Sequence, residues 1–295
     1  MSEGIDLSKL PAPSIVEEPD FEVLLQELKD DLTAELPEVA EVLDLESEPL
    51  AKLLEVWAFR ELLLRQQHNE RARVLMLAYS SGAELDHIGV TYYQTERQLI
   101  DAGDPDAEPP VPPTYESDEE YRRRILLAWD SWSTAGPERG YVYHALTADE
   151  QVKDATAVTP APTEVTVTVL SREGDGAAGQ ALLDTVAAAV NDEWVRPQTD
   201  LVTVQAATIQ AYQVVATLDV DSGPDPELVR AEAEASVQAF VAEQHRLGVD
   251  LIRDALLARL YVDGVRKVTL TSPAADIPCD PSEAAYAESV EVTLG

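Results

Sequence analysis

The sequence predicts an α+β chain: a helical N-terminal domain followed by two small α+β subdomains, arranged as an elongated multidomain protein. Three observations carry that reading. The first hundred residues hold apolar-rich segments of helical length. Residues 101–120 then interrupt the pattern with five prolines set among acids and with no Lys or Arg. Beyond Ser133, short runs of period-two hydrophobicity alternate with helical segments. The 295 residues amount to about two domain lengths at roughly 150 residues each.

Taken in order, Phe21 to Leu36 reads as an acidic helix. Glu48 to Tyr79 is a long apolar-rich stretch without Pro or Gly after Pro49, and Gly82 is expected to stop it. The stretch DAGDPDAEPPVPPTYESDEE, 101–120, reads as an extended linker or arm, because its prolines and mutually repelling acids cannot build a core. Helix resumes at Ser117, which with Glu120 forms a capping box ahead of YRRRILLAW. Val165, Val167 and Val169 alternate with threonines, as in a half-buried strand; a helix follows from Gln180 to Trp194, and a strand around Val202 to Val204. Val214, Ala216, Leu218 and Val220 share one strand face, and after a turn at Gly223 a helix begins with Asp225 as cap and Pro226 in its first turn. Gly248 is expected to stop that helix. A short helix from Asp250 to Tyr261 then precedes strands at Val265 to Leu270 and Val290 to Leu294. The expected boundaries are 1–100, 101–120, 121–207 and 208–295.

A shift of 113 residues places Ala145 on Ala258, Val152 on Val265, Lys153 on Arg266, Thr156 on Thr269, Pro160 on Pro273 and Ala161 on Ala274. The matches suggest two related subdomains, with chance similarity between short strands as the alternative.

Composition excludes several classes. With 21 Lys plus Arg against 56 Asp plus Glu, the formal charge is −35, a field that repels nucleic-acid phosphates and anionic lipids alike. No direct nucleic-acid or membrane partner is expected. Cys279 is the only cysteine, so no intrachain disulfide forms, which suits a reducing cytoplasm. No run reaches the roughly 18 apolar residues of a spanning helix, and the acidic start MSEGIDLSKL lacks the features of a signal peptide, so a soluble, non-exported chain is expected.

The sharpest enzymatic signal is the G-x-G-x-x-G of Gly174 to Gly179, between a strand and a helix, where a dinucleotide pyrophosphate would need it, with Asp192 or Glu193 to hold the ribose. Against this, Asp175 would set a carboxylate beside the phosphates, and the strand before it alternates Val with Thr. A backbone turn, with Asp175 capping the helix, is the preferred reading. His68, His87, His144 and His245 have no metal-ligand spacing, and acid pairs such as Glu46 with Glu48 or Glu84 with Asp86 read as solvated. No catalytic residue, cofactor or metal is expected, and the chain reads as a non-enzyme. The alternatives are a dinucleotide-binding enzyme using the glycine loop, or a generic interaction module.

The segment Leu50 to Gln66 is apolar on two faces at 100° per residue. Leu50, Leu53, Leu54, Trp57 and Leu64 form one stripe, expected to face inward; Val56, Phe59 and Leu63 form another, the candidate partner interface, with a central core helix buried on both faces as the alternative.

Several blocks carry a resemblance: IDLSKLPAP from Ile5, LESEPLAKLLE from Leu45, FRELLLRQQHNERAR from Phe59, MLAYSSGAELDHIG from Met76, ESDEEYRRRI from Glu116, STAGPERGYVYHAL from Ser133 and VTVLSREGDG from Val167. In these the chain resembles the baseplate J-like family of contractile phages and phage-derived injection machines. The resemblance implies a baseplate wedge protein, a structural part of the virion tail baseplate assembled in the host cytoplasm. Its implied partners are itself, other baseplate wedge proteins, the tail hub and sheath-proximal components. It also implies a six-fold ring around the hub that changes diameter on contraction, and it carries over no catalytic residue.

Overall fold

A computed structural model of the chain describes residues 7, 11, 19–45, 47–133, 135–223 and 225–295. Of the block IDLSKLPAP only Leu7 and Pro11 fall within these, and Glu46 falls outside them. The chain divides into two compact units, Met1–Glu96 and Arg97–Gly295.

In the first unit, α1 (Phe21–Glu35) starts where the Asp20 carboxylate accepts the N–H groups of Glu22 and Val23, satisfying donors that the first helical turn leaves unpaired. α2 (Pro49–Arg73) places Pro49 at its first position, where the missing N–H costs nothing, and packs against α1. Its last turn carries Arg71 and Arg73, which suit the negative end of the helix dipole. Gly82 does not stop this helix. α2 ends at Arg73, a run of turns closes with Ser80 N–H on the Met76 carbonyl, and Gly82, at φ +53°, opens α3 (Gly82–Tyr93). Leu24, Leu43, Ala51, Leu54, Ala58 and Leu85 are buried in this unit.

The second unit begins with a β arm. β1 (Leu99–Asp101) pairs antiparallel with β2 (Thr114–Tyr115), and Asp104 pairs with Val111 beyond them. The segment read as a linker or arm is thus a paired hairpin, held by a return at Gly103, where a Cβ would lie 2.3 Å from the Val111 carbonyl oxygen. Its prolines fit because the Asp104–Val111 bridge draws on the N–H groups of those two residues and on none of the prolines'. α4 (Asp118–Ser131) follows with the capping box complete: Ser117 Oγ accepts from Glu120 N–H, and Glu120 accepts from Ser117 N–H.

Two three-stranded sheets complete the unit. After α5 (Glu138–Ala148), β3 (Val152–Ala161) pairs antiparallel with β4 (Glu164–Ser171), and β4 pairs in parallel with β5 (Leu201–Ala206) across α6 (Gln180–Val190). The order is β3-β4-β5. The chain passes straight into β6 (Thr208–Val220), then through α7 (Pro226–Gln244) and α8 (Arg253–Leu260) to β7 (Val265–Ser272) and β8 (Glu283–Leu294), giving the order β7-β6-β8. Both sheets have a middle strand with one antiparallel and one parallel neighbour. Of the residues matched by the 113-residue shift, Ala145 and Ala258 fall on α5 and α8, and Val152, Lys153 and Thr156 with their partners fall on β3 and β7, while Pro273 and Ala274 lie just past the end of β7. The chain order differs, because α5 and β3 precede their middle strand whereas α8 and β7 follow theirs.

The alternating valines face one core: Val165, Val167 and Val169 pack with Tyr141, Ala145 and Val186. Val214, Ala216 and Leu218 pack with Val237, Leu256 and Leu260 in another. Beyond the half-buried reading, β4 is buried on its second face too. There Thr168 accepts from Gln205 Nε2 at 3.1 Å, and Leu170 joins Ala207, Leu247 and Ala284 in a small core that bridges the two sheets. β8 starts well before Val290, because its pairing with β6 runs from Thr208 beside Glu283 to Leu218 beside Leu294. α6 ends at Val190, α7 ends four residues before Gly248, and no described helix is long and apolar enough to cross a membrane.

Candidate interaction surface

On α2 the inward side is made by Ala51, Leu54 and Ala58, which fall together at 100° per residue. Two alanines let α1 approach closely, so little of the helix circumference is used inside the unit. Val56, Phe59 and Leu63 point outward, 56%, 54% and 41% exposed. Leu53, Trp57 and Leu64, expected to face inward, are also more than half exposed and continue the same arc. The reason is that apolar residues occupy most of the circumference, so the apolar pattern alone does not pick the inward side. The helix also carries five cationic against three acidic side chains, the reverse of the chain's balance. The outward arc of α2 is thus apolar, on a helix that as a whole is locally basic.

The glycine loop is a closed turn in which the Gly176 and Ala177 N–H groups are already used. Ser171 N–H donates to the Gly176 carbonyl at 2.8 Å, Gly176 N–H to the Glu173 carbonyl at 3.1 Å, and Ala177 N–H to Asp175 Oδ1 at 3.1 Å. A phosphate cradle needs such groups free. Asp175 therefore holds the turn instead of capping α6, whose N-cap is Gly179. The whole loop is seated on α7's end: Gly176, at φ +97°, lies under the His245 ring.

The junction between the two sheets gathers the other charged groups that sequence reading missed. The buried Asp154 accepts from Leu247 N–H at 3.1 Å and pairs with Arg123 at 2.8 Å, while Arg246 pairs with Glu119 at 3.3 Å and Arg172 with Glu120 at 2.8 Å. Burial raises the Glu120 carboxyl, but the Arg172 hydrogen bond and charge, with Ser117, outweigh it and hold the group below its ordinary range. Thr156 donates to the Pro281 carbonyl at 2.6 Å, and His245 Nδ1–H donates to the Ala285 carbonyl at 2.8 Å. These partners lie about 40 to 125 residues apart, at separations no local pattern encodes. The Asp154–Leu247, Thr156–Pro281 and Arg246–Glu119 contacts clasp the two halves together.

No group of His, Cys, Asp and Glu among the described residues is arranged to hold a metal ion. His68 and His87 are exposed on α2 and α3, each bonded within its own helix. Burial, then the Glu283 and Asp250 carboxylates, push the Cys279 thiol above its ordinary range.

Three family models match successive parts of the chain: the Baseplate J-like N-terminal domain over residues 46–104, the Baseplate J-like central domain over 133–206 and the Baseplate J-like protein C-terminal domain over 212–293. Among curated proteins, Baseplate protein J of Escherichia phage P2 is 46% identical over 296 residues, covering 99% of this chain and 98% of the relative. The first match spans α2, the second both strands and helix around the glycine loop, and the third the β7-β6-β8 sheet.

Proposed function

Because the chain belongs to the baseplate J-like family, we propose that it is a non-enzymatic structural subunit of a phage tail baseplate. Within that role it serves as a wedge subunit of a contractile tail or related injection machine, contributing to the ring around the tail hub and rearranging on contraction. Its partners are other copies of itself, neighbouring wedge proteins, the hub and sheath-proximal components. The helical region 1–100, the arm 101–120 and the subdomains 121–207 and 208–295 are the parts from which such a subunit is built.

The observation that carries this reading is the outward face of α2 at Val56, Phe59 and Leu63. Covering three such side chains contributes roughly 5 to 9 kcal/mol gross at about 1.5 to 3 each, before ordering and association costs. That suits one contact among several in a ring. Changing Val56→Asp together with Phe59→Asp is expected to leave circular dichroism and melting near wild type while weakening self-association or capture of a baseplate partner. An unfolded double variant would place this face in a core, and a folded variant that assembles undiminished would remove it from any interface.

A further inference from the structure

Where α4, β3, β4 and the chain after α7 meet in the second unit, they leave a small cavity. Four cations line it, Arg123, Lys153, Arg172 and Arg246, against two carboxylates, Glu116 and Glu120, the reverse of the chain's 21 basic to 56 acidic residues. Both carboxylates are already engaged. Glu116 accepts from Arg124 with each of its oxygens, at 3.0 and 2.6 Å, and Glu120 accepts from Arg172 at 2.8 Å with one oxygen and from the Ser117 hydroxyl at 3.1 Å with the other.

The cations keep donors in reserve. A guanidinium carries five N–H groups, yet the Arg123 side chain pairs only with Asp154 and the Arg246 side chain only with Glu119. Lys153 pairs with no carboxylate among the described residues, and its one hydrogen bond, to the Ala242 carbonyl, is long at 3.4 Å. Burial holds its ammonium below the ordinary range, with the charges of Arg172 and Arg246 pressing the same way against Glu120 and Asp154. What remains unspent at the cavity is therefore positive and donating, in a half-buried place where water screens charge poorly.

Size narrows the ligand. The space in which an oxygen-sized atom can be centred is about 20 Å³, more than a single water requires and about the volume over which the oxygens of one tetrahedral oxyanion spread. A nucleotide is far too large for it.

We propose that this cavity is a binding site for a small tetrahedral oxyanion, inorganic phosphate or sulfate, held by Lys153 with Arg123 and Arg246. The ion accepts charge-assisted hydrogen bonds from three separate elements, β3, α4 and the chain after α7, and so adds a fourth fastening to the contacts that clasp the two halves of the unit. This site goes beyond the structural role proposed above and does not depend on it.

The test is equilibrium dialysis of the full chain against radiolabelled inorganic phosphate, in a constant excess of sodium chloride that screens the overall charge. Saturable uptake near one ion per chain is expected, with displacement by sulfate and a melting temperature that rises with phosphate. Lys153→Met keeps the length of the stem and removes the charge, and should weaken uptake about tenfold or more, as the loss of one charge-assisted hydrogen bond does. Lys267→Met removes the same charge from the exposed surface of β7 and should take up phosphate like wild type. Lack of saturable uptake by wild type overturns the proposal, whatever the variants do. Undiminished uptake by Lys153→Met overturns it too, and so does an equal loss in Lys267→Met, which would make binding a matter of overall charge. Arg246→Gln, whose partner Glu119 is exposed, serves as the second variant where Lys153→Met does not fold, and undiminished uptake by it counts equally against the site.

Discussion

Gly176 lies directly beneath His245: a Cβ added to the glycine would come within 2.7 Å of the imidazole Nε2 and 2.6 Å of Leu170 Cδ1. His245 is fixed from its other side by the Nδ1 hydrogen bond to Ala285 and by Tyr286, whose ring centroid is 5.3 Å away. The loop between β4 and α6 and the end of a helix on the second sheet are thus seated against each other, and the absence of a side chain is what allows the contact.

Gly176→Ala is therefore expected to destabilise the second unit by roughly 2 to 4 kcal/mol, combining overpacking of about 1 to 3 with the cost of a side chain at positive φ. Gly174 has a similar backbone, φ +62°, but open space around it, so Gly174→Ala should cost only about 1 kcal/mol. Urea unfolding midpoints compare the two. Equal losses would mean that the His245 contact contributes nothing.

Nucleotides should not stabilise the chain, since the Gly176 and Ala177 N–H groups are engaged within the turn and Asp175 sets a carboxylate in it. Melting in the presence of about millimolar NAD or ATP is expected to match melting without it, and a saturable upward shift would contradict this.

Glu116 and Arg124, each 3% exposed, form a two-pronged ion pair at 3.0 and 2.6 Å beneath the arm. Removing one partner strands a buried charge, so Arg124→Met alone should cost about 3 to 5 kcal/mol. Glu116→Leu added to it should recover a large part of that loss, because burial of the pair carries its own desolvation penalty. A double-mutant cycle in denaturant reads the coupling; additive losses would count against the pair.

Burial holds the imidazoles of His245 and His144 below their usual range, against hydrogen bonds and carboxylates that push them up. The folded chain accepts these protons less readily than the unfolded one. The resulting stability is complete above the ordinary pKa of about 6.5 and is lost as pH falls below it. Acidification also relieves the repulsion of a −35 chain, so the informative quantity is a difference. Between about pH 7.5 and pH 5.5, His245→Gln should lose less stability, or gain more, than wild type. Parallel curves for the two proteins would show that His245 titrates alike in both states.

The sequence by itself determined where α4 and α7 begin, since Ser117 with Glu120, and Asp225 with Pro226, act on backbone groups within three residues of themselves. It also determined the inward faces of β4 and β6, because alternation fixes a strand's face once one side is buried. The resemblance to one family was legible in long ordered blocks, and the family models fall on the same regions. Tertiary structure alone decided which side of α2 is inward. Apolar residues on most of a helix's circumference leave its orientation to the partner, and here Ala51 and Ala58 meet α1 while Val56, Phe59 and Leu63 are left outside. It alone decided that the glycine loop is a seat for His245, since no local pattern places Gly176 under a ring that follows α7. It decided, finally, that a proline-rich segment folds back as a hairpin and that β8 begins at Glu283. Local chemistry sets what a segment can do; which option is realised depends on residues tens of positions away, and only the packed chain brings those together.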